Sequence, residues 1–120
     1  MTGTGIGYKR PERVGDLILK EISEMILKGE VKDPRVSSVN LTGIKVTNDL
    51  GFARIYFTVM TNKAEREEAL SGLQSASGFI KRELSRRLRI RRVPDLRFEF
   101  DTALEEGYRI DDILRGVKGE

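Results

Sequence analysis

Residues 52–60, FARIYFTVM, alternate strictly: Ala53, Ile55, Phe57 and Val59 share one side, Arg54, Tyr56 and Thr58 the other. A period of two marks a strand with one face buried and one facing water. Such a strand cannot stand alone. It needs a neighbour for its backbone groups and an apolar layer over its greasy side. The segment VSSVNLTGIKVT at 36–47 supplies the neighbour: Val39 and Leu41 alternate, then Ile44 and Val46 continue with shifted parity. Gly43 stands at the change, which predicts a bulge or local bend there. NDLG at 48–51 is the turn that makes the two strands a hairpin. A third strand, DLRFEF at 95–100, points Leu96, Phe98 and Phe100 inward.

The covering layer is helical. Val14, Leu17, Ile18, Ile22, Met25 and Ile26 recur at three- and four-residue steps, predicting a helix from about Pro11 to Lys28. Pro11 suits a first turn and Gly29 a C-terminal stop. KDPR at 32–35 reads as a turn, because Pro34 pushes Asp33 out of helical geometry. A long helical region follows from about Lys63 to Arg89, with Leu70, Leu73, Ile80, Leu84 and Leu88 on one arc. Gly72 and Gly78 interrupt it, so two helices with a kink at 76–78 are expected. The order is α-β-β-α-kink-α-β. The last crossover is long enough for a parallel pairing. The expectation is one α+β domain, a three-stranded sheet with helices packed on one face. It spans 10–101, between a flexible leader at 1–9 and an acidic tail at 102–120 with a short helix near Tyr108–Leu114.

Composition now narrows the chemistry. The 120 residues contain no cysteine and no histidine, which removes thiolate and imidazole ligands, cysteine nucleophiles and the usual base near neutral pH. GTGIG near the start lacks the preceding strand and following lysine of a phosphate loop. Asp111 and Asp112 have no further carboxylates spaced to complete a metal site. Glu105 and Glu106 are unsupported as an acid–base pair. Enzymes can work with carboxylates and lysine alone, but these absences weigh against catalysis; no enzyme activity, no cofactor, no metal and no membrane segment are expected, in a cytoplasmic monomer.

Charge is segregated. From Lys81 to Arg97 eight basic residues stand against Glu83 and Asp95, and from Glu99 to Glu120 seven acids stand against three bases. On a helical wheel Arg82, Arg86 and Arg89 fall opposite the apolar arc. Lys81 and Arg87 flank that arc, and Arg91 and Arg92 carry the charge into the connection. A solvated face paired with acids is the ordinary meaning of such a run. Here only Glu83 lies within the stripe, so the balance moves toward a polyanion, RNA or DNA. Ala76, Ser77 and Gly78 join the candidate set because a kink would bare helix N–H groups to a phosphate. Arg10 and Arg13, at the start of the first helix, are candidates to extend the surface. Asp33-Pro34-Arg35 reads as a turn with its own hydrogen bonds. Lys45 and Tyr56 are weaker candidates still.

Six stretches in order resemble the ribosome-binding factor A family: RPERVGDLI at 10–18, DPR at 33–35, VTNDLGFARIYFTV at 46–59, SASGFIKREL at 75–84, LRIRRVPDLRFEFD at 88–101 and EGYRIDDIL at 106–114. The resemblance implies a KH domain of the second topological type. The family replaces the GxxG loop of other KH domains with a kink bearing alanine-x-glycine, matched here by Ala76, Ser77 and Gly78. It implies a non-catalytic assembly factor. Such a factor binds the free 30S subunit and its 16S rRNA late in maturation, supports 5′-end processing, and is associated with growth in the cold. Without a GxxG, the implied recognition is docking by shape and phosphate. Two rival readings stand beside it: an adaptor whose basic helix docks an acidic protein, and a carboxylate-dependent nuclease.

Overall fold

The computed structural model describes residues 10–59 and 63–103. The leader, the segment 60–62 and the expected tail helix lie outside the described residues. The elements are α1 (Arg10–Leu27), a 3₁₀ turn (Pro34–Val36), β1 (Val39–Val46), β2 (Phe52–Val59), α2 (Lys63–Leu88) and β3 (Asp95–Phe100). The strands order as β1-β2-β3, with β1 antiparallel and β3 parallel to the central β2. Both helices cover one face. The result is an α+β fold of the expected KH-like type.

The alternation in β2 is realised residue by residue. Ala53, Ile55, Phe57 and Val59 are buried, while Arg54, Tyr56 and Thr58 lie on the opposite face. The register of β1 slips between Leu41 and Gly43, leaving Thr42 as the extra residue of a bulge. Ile18, Ile22 and Met25 of α1 meet Leu73, Ile80 and Leu84 of α2 over Ile55, Phe57 and Phe98. Each such fully buried side chain contributes about 1.5–3 kcal/mol. Phe57 and Phe100 add an edge-to-face contact with ring centroids 5.7 Å apart.

Two expectations are corrected. Leu17, expected in the buried stripe, is 45 % exposed. The face of α1 that meets the sheet is centred on Ile18, Ile22 and Met25, and Leu17 falls about 100° from that centre. More consequentially, α2 is one continuous helix of 26 residues across the Ala-Ser-Gly step, not two helices with a break. The packing gives the reason. Ala69, Leu73, Ala76, Ile80 and Leu84 hold one helical phase through the step, so one continuous helix keeps them all against the core. Gly78 costs roughly 1 kcal/mol of propensity, which this packing outweighs. The Ser77 hydroxyl donates back to the Gln74 carbonyl at 2.9 Å, a bond that bends helices without ending them.

Gly72 has another purpose. A Cβ there would stand 3.0 Å from Val36 Cγ1 and 3.1 Å from Arg35 Cβ, so its absence lets α2 press on the 3₁₀ turn. Gly29 ends α1 as expected. It adopts φ +73°, and the Glu30 and Gly29 amides donate to the Met25 and Ile26 carbonyls, the paired bonds of a Schellman stop.

Candidate nucleic-acid interface

The 3₁₀ turn shows how locally the chain can resolve its own charge. Asp33 caps the turn by accepting from the Arg35 N–H at 3.0 Å, and its two oxygens are gripped by the Arg35 guanidinium at 2.7–3.2 Å. The guanidinium first, then the N–H, hold the Asp33 carboxyl at about 2 against an ordinary 3.8. Arg35 is thereby occupied as part of a turn.

The basic residues of α2 divide into two sets. Arg87 Nη2 donates to Glu30 Oε1 at 2.6 Å, its Nε to Glu83 at 3.2 Å, and Nη1 stands 3.7 Å from Glu21. Lys81 Nζ donates to Asp95 Oδ1 at 2.6 Å, which lowers that carboxyl. These two cations tie α2 to its own chain. Arg82 and Arg89 are exposed, with no ion pair among the described residues. Arg86 reaches Glu83 at 2.6 Å but is 73 % exposed, the kind of surface pair that contributes little and exchanges readily. Arg91 and Arg92 are exposed in the connection that follows, and Arg92 helps to lower Asp49, whose principal partner is the Thr47 hydroxyl.

Of the nominated tripeptide, Ala76 is half-buried beside Phe79 in a small cleft with Val31 and Lys32. Ser77 is engaged with Gln74. Gly78 is exposed and lines a shallow depression with Lys81, Arg82, Ser85 and Val93. Because α2 runs on unbroken, there is no helix start here to offer free N–H groups, and that part of the expectation falls. What the depression does offer is a floor without a side chain, edged by a guanidinium. Arg10 and Arg13 are exposed on the first turns of α1, which press through Gly15 onto Ile44 and Val46 of β1. They stand on α1 and are not part of the α2 stripe.

Arg89 carries a signal that sequence reasoning missed. It follows the last residue of α2 with φ +55°, a left-handed conformation that a helix end ordinarily gives to glycine. Among the described residues there is no cluster of acidic side chains suited to a metal ion, and no helix long and apolar enough to cross a membrane. The exposed guanidiniums, spaced along one helix face and out into a loop, are chemically suited to phosphate, whose oxygens match their forked donors.

Fold and surface together define a KH-like domain of type II topology with a basic outer helix. The chain belongs to the ribosome-binding factor A family, whose profile it matches over residues 10–114. It is 44 % identical to ribosome-binding factor A of Geotalea uraniireducens over 92 % of its own length and 89 % of the relative's. The crystal structure of ribosome-binding factor A from Thermus thermophilus superposes with a TM-score of 0.65 at 23 % identity, covering 76 % of this chain and 96 % of that one. A homology model of the Thermus thermophilus factor, fitted into a cryo-EM map of a 30S complex, superposes at 0.55 with 23 % identity, covering 72 % and 93 %.

Proposed function

We propose that this protein is a non-enzymatic assembly factor that binds the free 30S subunit and its 16S rRNA during late maturation. Its hold on immature rRNA supports processing of the 5′ end. Family membership supports the partner, as does the Thermus thermophilus relative fitted to a 30S map. One observation carries the mode of contact: Arg82 and Arg89 face solvent with no acid of the described chain beside them, although Lys81 and Arg87 have been taken up by Asp95 and Glu30. Unpaired guanidiniums attract a polyanion, and their forked donors match phosphate oxygens. Arg82, Arg86, Arg89, Arg91 and Arg92 form the proposed contact set, with Gly78 giving the backbone room to approach. Lys81 and Arg87 act as supports, and Arg10 and Arg13 lie at the margin.

Salt titration of binding to small-subunit RNA tests this reading. The affinity falls with a log–log slope of about −0.7 for each single-strand phosphate neutralised. Affinity indifferent to salt would remove the phosphate contacts from the account.

A further inference from the structure

The sheet has a second face, which neither α1 nor α2 covers. Arg54, Tyr56 and Thr58 carry the parity opposite to the buried residues of β2, and the register fixes their neighbours. Arg54 lies between Lys45 of β1 and Arg97 of β3; Tyr56 lies between Gly43 and Glu99. Three cations therefore stand in one row across three strands, each about 4.8 Å from the next strand. Like charges placed directly opposite in a sheet destabilise it, so the fold alone gives no reason for the two outer members of the row.

The acids of β3 neutralise only its centre. Glu99 is engaged by Arg54 at 2.9 Å, Asp95 is drawn to Lys81 of α2, and Asp101, just past the strand, accepts from the Thr42 hydroxyl. Lys45 and Arg97 are exposed and have no ion pair among the described residues. One register row along, Gly43 places no side chain against the partly exposed Tyr56 ring. A Cβ on that glycine would meet only the ring's Cδ2, at 4.0 Å. A partly exposed aromatic ring beside two unpaired cations is the combination that binds single strands: the ring stacks a base of any identity, and the cations take the flanking phosphates. An acidic peptide would use the cations and leave the ring idle.

We propose that this open sheet face is a second RNA-binding surface, taking a single-stranded segment with a base on Tyr56 and phosphates on Lys45 and Arg97. The helix layer separates it from the outer face of α2, so the two surfaces point in opposite directions and grip two RNA segments at once. The proposal rests on the reading of the chain as an RNA binder, but not on the α2 arginines.

The test uses the full chain and a fluorescent oligouridine of about ten nucleotides, within the site size of such platforms, read by anisotropy at low salt. Lys45→Ala with Arg97→Ala should lower affinity roughly tenfold and flatten the salt slope by about 1.4, two single-strand phosphates' worth. Tyr56→Ala should lose roughly tenfold, and Tyr56→Phe, which keeps the ring and guards against a folding artefact, should restore wild-type binding. Arg82→Ala with Arg86→Ala should impair co-sedimentation with small subunits, and in that background the sheet-face variants should still lower oligouridine affinity roughly tenfold. The proposal is overturned by sheet-face variants that bind oligouridine normally, by a wild-type chain that does not bind it, or by polyglutamate binding with the same variant sensitivity. Loss of subunit binding in the α2 variant alone, with oligouridine indifferent to the sheet face, sinks this inference and leaves the proposed function standing.

Discussion

Arg87 and Glu30, 57 residues apart in sequence, meet at 2.6 Å and join the C-terminal end of α2 to the segment just beyond α1. The contact raises the Arg87 pKa further, chiefly through the Glu30 hydrogen bond, and Glu83 adds to it from within the helix. One guanidinium thus serves three carboxylates from two elements and the segment beyond α1, counting the longer approach to Glu21. Removing it leaves Glu21, Glu30 and Glu83 to repel one another. Arg87→Ala is therefore expected to lower the melting temperature by a few degrees, whereas Arg82→Ala leaves it nearly unchanged. Thermal denaturation by circular dichroism separates the two residues.

Charge reversal tests the outer face. Arg82 and Arg86 are exposed, so Arg82→Glu with Arg86→Glu should leave the fold intact. Binding to free small subunits should fall by roughly tenfold or more, measured by co-sedimentation. Undiminished co-sedimentation with a normal melt would mean that the contact face lies elsewhere.

The two glycines of α2 should respond in opposite ways. Gly72→Ala puts a Cβ against Val36 and the stem of Arg35, and overpacking of this kind costs about 1–3 kcal/mol. Gly78→Ala meets only the end of Arg82, at an ordinary 3.6 Å, and gains roughly 0.5–1 kcal/mol of helix propensity. Chemical denaturation reads both. If Gly78→Ala is stabilising yet weakens subunit binding, the glycine is kept for the approach of RNA and not for the fold.

Asp33 gives a pH signature. Its carboxyl is held at about 2 in the folded chain against an ordinary 3.8. A group depressed on folding adds stability that is complete above its unfolded value and is lost as pH falls through the folded one. Asp33→Asn should therefore melt below wild type near neutral pH, with the gap closing between about pH 4 and pH 2. A gap that stays constant over that range would assign the whole effect to the cap and none to the charge.

What is legible in the sequence is whatever a single element states about itself. The parity of β2, the break at Gly43, the stop at Gly29 and the turn at Asp33 each depend on neighbours a few residues away. Gly72 and Gly78 mislead for the same reason. Propensity argues for a break, but the burial of Ala69 through Leu84 in one phase and the approach of Val36 are tertiary facts that override it. The helical wheel places Arg82 and Arg86 outward correctly, because exposure follows helical phase. The partners of Arg87 are not legible, since Glu21 and Glu30 reach it only through packing. Nor is the row of Lys45, Arg54 and Arg97, because register across strands is written in no one segment.

The left-handed Arg89 links stability to function in one residue. Non-glycine side chains at positive φ cost roughly 1–2 kcal/mol, and the position after Leu88 is where glycine would close the helix without that cost. The chain keeps an arginine there, exposed and unpaired among the described residues, at the point where the α2 stripe turns toward Arg91 and Arg92. Strain retained at one site calls for a use of that side chain. Arg89→Gly should raise the melting temperature by several degrees and weaken small-subunit binding at the same time. Arg89→Lys should keep both the strain and most of the binding. Were Arg89→Gly to stabilise the protein and bind subunits as tightly as wild type, the arginine would have no part in RNA contact and its conformation would reflect the connection alone.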